Sequence, residues 1–206
     1  EAPVIISFCF ICALLHVLNI CMPGLNRFFA VSDTFQITSA MQYPRLFTHV
    51  LVHQDSNHIK GNLVHLLLVG PSAELVYGSQ SMLIVVLLVA VTSALTHIVL
   101  FGSSQETAHQ LGASGVVSAA ILLNSLVAAE SGKIPVSFIL TALVWGVDEA
   151  YKLVFASDGV SHHAHLTGAI VGSAYAFYFV RPHNKRRRQQ PVNQSSSSSA
   201  LSWWNG

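Results

Sequence analysis

The chain has 206 residues, of which 52% are hydrophobic and 9% are charged, with a formal net charge of +1. Soluble domains usually contain about 25% charged residues, so this composition excludes an ordinary soluble protein. Two classes are left: a soluble protein with a very apolar core, and a membrane protein. The length of the apolar runs decides between them, because a membrane-spanning helix needs about 20 residues.

Six apolar runs approach or reach that length. They cover residues 4–22, 58–77, 82–101, 111–129, 134–155 and 162–180. Gly70-Pro71 interrupts the second run, but neighbouring helices can satisfy the backbone groups that a buried proline frees. The pattern predicts an all-α polytopic membrane protein with six transmembrane helices, in which residues 1–180 form one membrane domain.

Most connections between these runs are short and polar, but residues 23–57 are too many for a simple turn. Their mixture of aromatic and apolar residues predicts a structured first loop that is partly embedded in the membrane. Residues 181–206 begin with a basic cluster and continue with a serine-rich stretch, which predicts a disordered tail. A nucleic-acid-binding patch is the alternative interpretation of the cluster, but six apolar runs make a nucleic-acid partner unexpected.

The basic cluster at residues 185–188 also predicts the orientation of the chain. Lysine and arginine prefer the cytoplasmic side, so the C-terminus is expected there, and six spans place the N-terminus on the same side. Lys133 agrees with this orientation, whereas Arg27, Arg45 and Lys60 are exceptions. The second, fourth and sixth spans then begin at the outer face, and their first residues share one depth.

Polar residues occupy the starts of these three spans, where a polar group in hydrocarbon is costly and indicates a functional site. Ser114 lies at the start of the fourth span, and its hydroxyl needs an adjacent base to act as a nucleophile. His165, at the start of the sixth span, is the candidate base. Gly168 and Gly172 follow on the face of His165, and Gly115 gives the fourth span a matching small face. Two such faces can approach closely enough to join the serine to the histidine.

The start of the second span offers groups that could stabilise a developing oxyanion. His58 and Asn62 are four residues apart and therefore share one face of a helix. The backbone N–H of Ser114 is a third donor, because it has no acceptor in the first helical turn. Gly112 and Gly115, on either side of Ser114, leave room for a substrate backbone.

Three motifs, one on each of these spans, resemble those of the rhomboid intramembrane serine proteases. They are His58-x-x-x-Asn62, Gly112-Ala113-Ser114-Gly115 and Ala164-His165-x-x-Gly168-x-x-x-Gly172. The resemblance covers nearly the whole chain from the first span to residue 180, including the long first loop, and it excludes the tail.

The resemblance implies a six-helix rhomboid bundle in the lipid bilayer and a serine endopeptidase without a cofactor. Its substrates would be single-span membrane proteins, cleaved in their transmembrane segments near the outer face. Ser114 matches the nucleophile and His165 the general base, a dyad without an acidic third member, and His58 and Asn62 match the oxyanion-stabilising pair. Glu74 resembles a glutamate that organises a buried polar network.

Two positions depart from the family pattern. The family usually has a tyrosine four residues after the nucleophile, packed against the base histidine, where this chain has Ser118. The orientation of His165 must then depend on another contact. The long loop commonly carries a Trp-Arg pair, of which Pro44-Arg45 keeps only the arginine. A rhomboid-like binding protein with little or no catalytic activity is therefore an alternative function.

The histidines also allow a metal site in a transporter or a metalloprotease. His49 and His53 are four residues apart, and His162, His163 and His165 form a cluster. No His-Glu-x-x-His motif, nearby cysteine or acidic residue at a matching helix end accompanies them. We therefore expect no metal.

Two carboxylates near the end of the fifth span have two interpretations. Asp148 and Glu149 are either part of an ion pathway or exposed to water and paired with Lys152. The second interpretation is expected, because they lie near the outer end of the span.

Overall fold

The computed structural model describes residues 1–32, 36, 38–101, 109–126, 133–156 and 160–177. These residues form eight α-helices, two 3-10 turns and one pair of two-residue strands. The helices are α1 (Pro3–Cys21), α2 (Asn26–Phe29), α3 (Arg45–Thr48), α4 (Ser56–Tyr77), α5 (Ser79–Phe101), α6 (Ser114–Ser125), α7 (Val136–Phe155) and α8 (His162–Tyr175).

A helix occupies each of the six predicted apolar runs. These helices are α1 and α4 to α8, and the predicted ends at residues 129 and 180 lie outside the described residues, as does the tail. Among the described helices, α1 and α5 are long and apolar enough to cross a membrane by length and composition, whereas α6 is apolar but shorter. The helical bundle is confirmed, and the number of membrane spans stays a prediction.

Large apolar side chains cover much of the outside of the bundle. Val99 on α5 is 83% exposed, and Phe10 on α1 and Val144 on α7 are also exposed. An apolar surface of this extent is unusual on a soluble monomer. It fits contact with lipid.

The described residues of the long first loop are structured, as the sequence predicts. Two short helices, α2 and α3, lie in it, and Arg45 Nε donates a hydrogen bond to the Phe28 carbonyl oxygen over 3.2 Å. The arginine of the loop thus joins α3 to α2. The position of the loop relative to a membrane stays a prediction.

The all-α prediction did not include two short strands. β1 (Val31–Ser32) pairs antiparallel with β2 (His109–Gln110), which links the first loop to the segment before α6. Strands of two residues are too short to produce an alternating pattern in the sequence.

Helices α6 and α8 pack with their backbones in contact. A Cβ atom on Gly168 would overlap the carbonyl oxygen of Gly115, and one on Gly115 would lie 2.9 Å from the Ala164 carbonyl oxygen. Further along, a Cβ atom on Gly172 would lie 2.9 Å from the Ala119 Cα. Glycine is required at this contact because any side chain would separate the two helices.

A buried carboxylate joins the end of α4 to the start of α1. Glu74 is 2% exposed, and its two carboxylate oxygens accept hydrogen bonds from the Val4 and Ile5 amides over 3.0 and 2.9 Å. These amides belong to the first turn of α1, where a helix offers them no acceptor of its own. The contact satisfies both amides and fixes α1 against α4.

We expect Glu74→Gln to lower the stability of the folded protein by about 1–3 kcal/mol, because the amide removes the charge and one of the two acceptors. Thermal unfolding of the purified protein in detergent measures the change. Asp148→Asn is the matched control, since Asp148 is an exposed carboxylate in a single ion pair with Lys152. Equal unfolding temperatures for the two variants would contradict the structural role of Glu74.

We expect Gly168→Ala to destabilise the protein by about 1–3 kcal/mol or more, because the added methyl group meets the Gly115 carbonyl oxygen. Gly146→Ala on α7 is the control. A Cβ atom at Gly146 has no neighbour within 4 Å, and alanine favours a helix, so this variant should be neutral or more stable. Thermal unfolding of both variants tests the helix contact, and an unchanged Gly168→Ala protein would contradict it.

Candidate active site

A fixed turn places Ser114 at the start of α6. Gly112 has a φ of +118°, which favours glycine, and its amide donates to the His49 carbonyl oxygen over 2.9 Å. Ala113 then leads into the helix, and Ser114 is its first residue. The Ser114 amide therefore has no acceptor within its own helix.

His58 and Asn62 on α4 lie against this turn. A Cβ atom on Gly112 would lie 2.7 Å from His58 Nε2 and 3.8 Å from Asn62 Nδ2. Asn62 is 8% exposed, and its buried Nδ2 has no hydrogen-bond partner among the described residues. An unpaired buried donor is rare in folded proteins, and one beside a candidate nucleophile calls for a functional explanation.

The backbone contact between α6 and α8 lies next to Ser114 and His165 in the chain. Gly115 contacts Ala164, Ser114 directly precedes Gly115, and His165 directly follows Ala164. Among the described residues, no hydrogen bond joins Ser114 Oγ to His165. The structure thus brings the two helix ends together, and the catalytic roles of these residues stay predictions.

Helix α7 supplies two contacts to the ring of His165. Glu149 Oε2 lies 2.8 Å from His165 Nδ1 and 2.7 Å from His162 Nδ1. Trp145, one helical turn before Glu149, stacks on His165 with ring centroids 6.4 Å apart and planes 29° apart. A carboxylate and an indole therefore orient the histidine.

A family model for the rhomboid domain matches residues 40–182, which is more than half of the chain. The chain belongs to the rhomboid family. The resemblance seen in the sequence is confirmed, and the family, together with the apolar helices, indicates a membrane protein. Members of the family are typically serine proteases, and some are inactive. A search of curated proteins found no match.

One expectation about the acidic residues of this rhomboid is wrong. Glu149 is 6% exposed and contacts two histidines, so it is neither open to water nor a partner reserved for Lys152. Glu149 also lies beside His165, the candidate base, for which the resemblance implied a dyad without an acidic third member. Asp148 does pair with Lys152, over 2.6 Å.

Helix geometry explains the difference between the two carboxylates. Adjacent residues on a helix point about 100° apart, so Asp148 and Glu149 cannot face the same way. Asp148 and Lys152 have the i, i+4 spacing of an exposed ion pair, and Trp145 and Glu149 have the same spacing on the inner face. The pairing of Trp145 with Glu149 at this spacing was the sequence feature that could have indicated an inward position for Glu149.

Ser118 does not replace the usual tyrosine as a contact of His165. Its buried hydroxyl donates to the Ser114 carbonyl oxygen over 2.9 Å, one turn earlier in α6. The side chain is thus used within its own helix. Glu149 and Trp145 provide the other contact that the sequence required for His165.

Two buried histidines of the first loop support the turn before Ser114. His53 Nε2 accepts a hydrogen bond from the Ala113 amide over 3.3 Å, and His49 Nε2 donates to the Ala90 carbonyl oxygen over 3.0 Å. Burial lowers the pKa of His53 to about 3 and that of His49 to about 4. His53 therefore stays neutral at physiological pH, as an acceptor must.

One group within the described ranges has the composition of a metal site. The ligand atoms of Glu149, His162 and His165 lie within 4.8 Å of one another. However, the two oxygen–nitrogen distances of 2.7 and 2.8 Å are shorter than the roughly 3.3 Å between two ligands of a tetrahedral zinc ion. The group is arranged as hydrogen-bonded side chains. His163, in the same cluster, instead lies near Gln110, with 3.4 Å between Nε2 and Oε1.

We expect the folded protein to lose stability as the pH falls from about 6.5 toward 4. The unfolded chain protonates His49 and His53 near pH 6.5, whereas the folded protein holds both neutral down to a pKa of about 4 and about 3. The stabilising contribution is therefore complete above pH 6.5 and decreases below it, by on the order of 1 kcal/mol per pH unit for each histidine.

Thermal unfolding at pH 7.5, 6 and 5 measures this effect. His53→Asn should unfold at a lower temperature at pH 7.5, because the Ala113 amide loses its acceptor, and should show a weaker dependence on pH. If the unfolding temperature changed equally with pH in the parent and the variant, His53 would not be a source of the pH dependence.

Proposed function

We propose that this protein is an intramembrane serine endopeptidase that cleaves transmembrane segments of single-span membrane proteins. Ser114 is the nucleophile and His165 the general base. The proposal is supported by the backbone contact between Gly115, which follows Ser114, and Ala164, which precedes His165. His58 and Asn62 lie against Gly112, two residues before Ser114.

The reaction needs only these side chains, the substrate and water. His165 accepts the proton of the Ser114 hydroxyl while Oγ attacks the carbonyl carbon of the scissile peptide bond. The C–N bond then breaks, and the leaving amine takes the proton from His165, which leaves an acyl-enzyme. A water molecule loses a proton to His165 and attacks the ester carbonyl carbon; the bond to Oγ then breaks, His165 returns the proton to Oγ, and the second product leaves with a carboxyl group.

The environment of Gly112 supports an oxyanion site. Asn62 Nδ2 is a buried donor without a partner among the described residues, and His58 lies beside it against the glycine. The Ser114 amide, free at the start of α6, is the third donor. Donors of this kind typically contribute several kcal/mol to the stability of the transition state.

The proposed topology has six membrane spans, α1 and α4 to α8, with both termini in the cytoplasm. The exposed apolar side chains of α1, α5 and α7 and the basic cluster at residues 185–188 support it. The lipid bilayer and single-span substrates are the proposed partners, and neither a cofactor nor a nucleic acid is required.

Binding without cleavage is a second candidate function. Ser118 replaces the usual tyrosine, and Ser114 Oγ makes no hydrogen bond to His165 among the described residues. A rhomboid of this kind would hold a membrane-anchored partner in the same place and leave its peptide bonds intact.

Labelling with a fluorophosphonate probe separates the two functions. The purified protein in detergent should label, and both Ser114→Ala and His165→Ala should lose labelling, because the probe reacts with a serine that a base has activated. Ser118→Ala is the matched control, since its hydroxyl bonds within α6, and it should label like the parent.

A parent that stays folded but does not label would favour binding over catalysis. Labelling that persists in Ser114→Ala would assign the reactive serine elsewhere. Cleavage of a reconstituted single-span protein by the parent, and not by Ser114→Ala, completes the test in a bilayer.

A further inference from the structure

Glu149 has an unusual position for a structural carboxylate. It is 6% exposed, and one of its oxygens lies at hydrogen-bond distance from two imidazoles, those of His162 and His165. Burying a carboxylate is costly unless donors satisfy it, and here both nearby donors come from the first turn of α8. One of the two is the candidate base.

The contact determines which nitrogen of His165 carries a proton. A carboxylate accepts hydrogen bonds, so His165 Nδ1 must carry its proton to make the bond of 2.8 Å. In the neutral ring, Nε2 is then the free nitrogen. A general base needs one unprotonated nitrogen in a defined orientation, and Glu149 supplies both conditions.

The contact also matters when His165 becomes charged. Taking the proton of Ser114 converts the imidazole to an imidazolium, which is costly away from water. A carboxylate at 2.8 Å stabilises that charge, and the interaction is stronger at a buried position than in water. The effect is largest in the steps where His165 holds the second proton, and so it lowers the barrier to the reaction.

His162 and Trp145 hold this arrangement in place. His162 Nδ1 lies 2.7 Å from the same oxygen of Glu149, which leaves the carboxylate little freedom to turn away from His165. Trp145 stacks on the ring of His165 from the same face of α7. Glu149 therefore holds the ring of His165 at its edge, and Trp145 contacts the face of the ring.

We infer that Glu149 is a positioning residue for catalysis, which extends the proposed dyad to a chain of Ser114, His165 and Glu149, with His162 as the support of the carboxylate. The inference rests on the proposed function. A purely structural Glu149 would only join α7 to α8.

The test compares Glu149→Gln and Glu149→Asp with Asp148→Asn in the full chain. Asp148 is the adjacent carboxylate and is paired with Lys152, so its variant controls for charge and for position on α7. For each variant, the rate of fluorophosphonate labelling, the kcat and KM on a reconstituted single-span protein, and the thermal unfolding temperature are measured.

Glu149→Gln should reduce the labelling rate and kcat on the order of 10²- to 10⁴-fold, with KM little changed. Glu149→Asp keeps the charge but shortens the side chain, so its rates should lie between those of the parent and the Gln variant. Asp148→Asn should behave like the parent.

The outcomes separate this inference from the function on which it rests. If the parent labels and Glu149→Gln labels equally fast, the positioning role is overturned and the protease remains. If the folded parent does not label, both the protease function and the positioning role of Glu149 are contradicted. If Glu149→Gln fails to fold, Glu149→Asp decides: slower labelling at native stability supports the role, and labelling at the parent rate overturns it.

Discussion

The backbone contact between α6 and α8 is the constraint on which the rest of the site depends. At Gly115 and Gly168 the two helices have no side chains between them, so their separation is set by backbone atoms alone. In an apolar environment, where water does not drive helices together, packing of this kind is a main source of association. A small change in this separation would move Ser114 relative to His165, and catalytic geometry tolerates little movement.

The residues around this contact come from several elements, and several of their buried polar groups make hydrogen bonds that hold the site together. The first loop holds the turn before α6 through His49 and His53, α4 brings His58 and Asn62, and α7 contacts His165. Unpaired polar groups are costly in the interior, so these contacts are as important to the fold as to the site. The residues that stabilise this part of the fold are therefore also those of the proposed site.

Properties that lie within one stretch of sequence were predictable. A long apolar run predicts a helix, and each of the six runs contains one. The i, i+4 spacing of His58 and Asn62 predicts that both lie on one face of their helix, as they do. Glu149 was not predictable in the same way. Its environment depends on how α7 is rotated against α8, and that rotation follows from contacts distant in the chain. The strand pair β1–β2 was not predicted for a different reason: strands of two residues are too short to show an alternating pattern in the sequence.

The N-terminal ends of α4, α6 and α8 lie near the candidate site, and this has an electrostatic consequence. A side chain caps the start of α4, where Asp55 accepts from two amides, but no described side chain caps the starts of α6 and α8. The first turn of an α-helix carries roughly half a positive charge from its aligned peptide dipoles. The two helix ends without a side-chain cap therefore add positive potential to the region between Ser114 and His165, opposite in sign to the nearby carboxylate of Glu149. In the proposed reaction, a neutral peptide would gain little from such a field, whereas the negative oxygen of a tetrahedral intermediate would gain more.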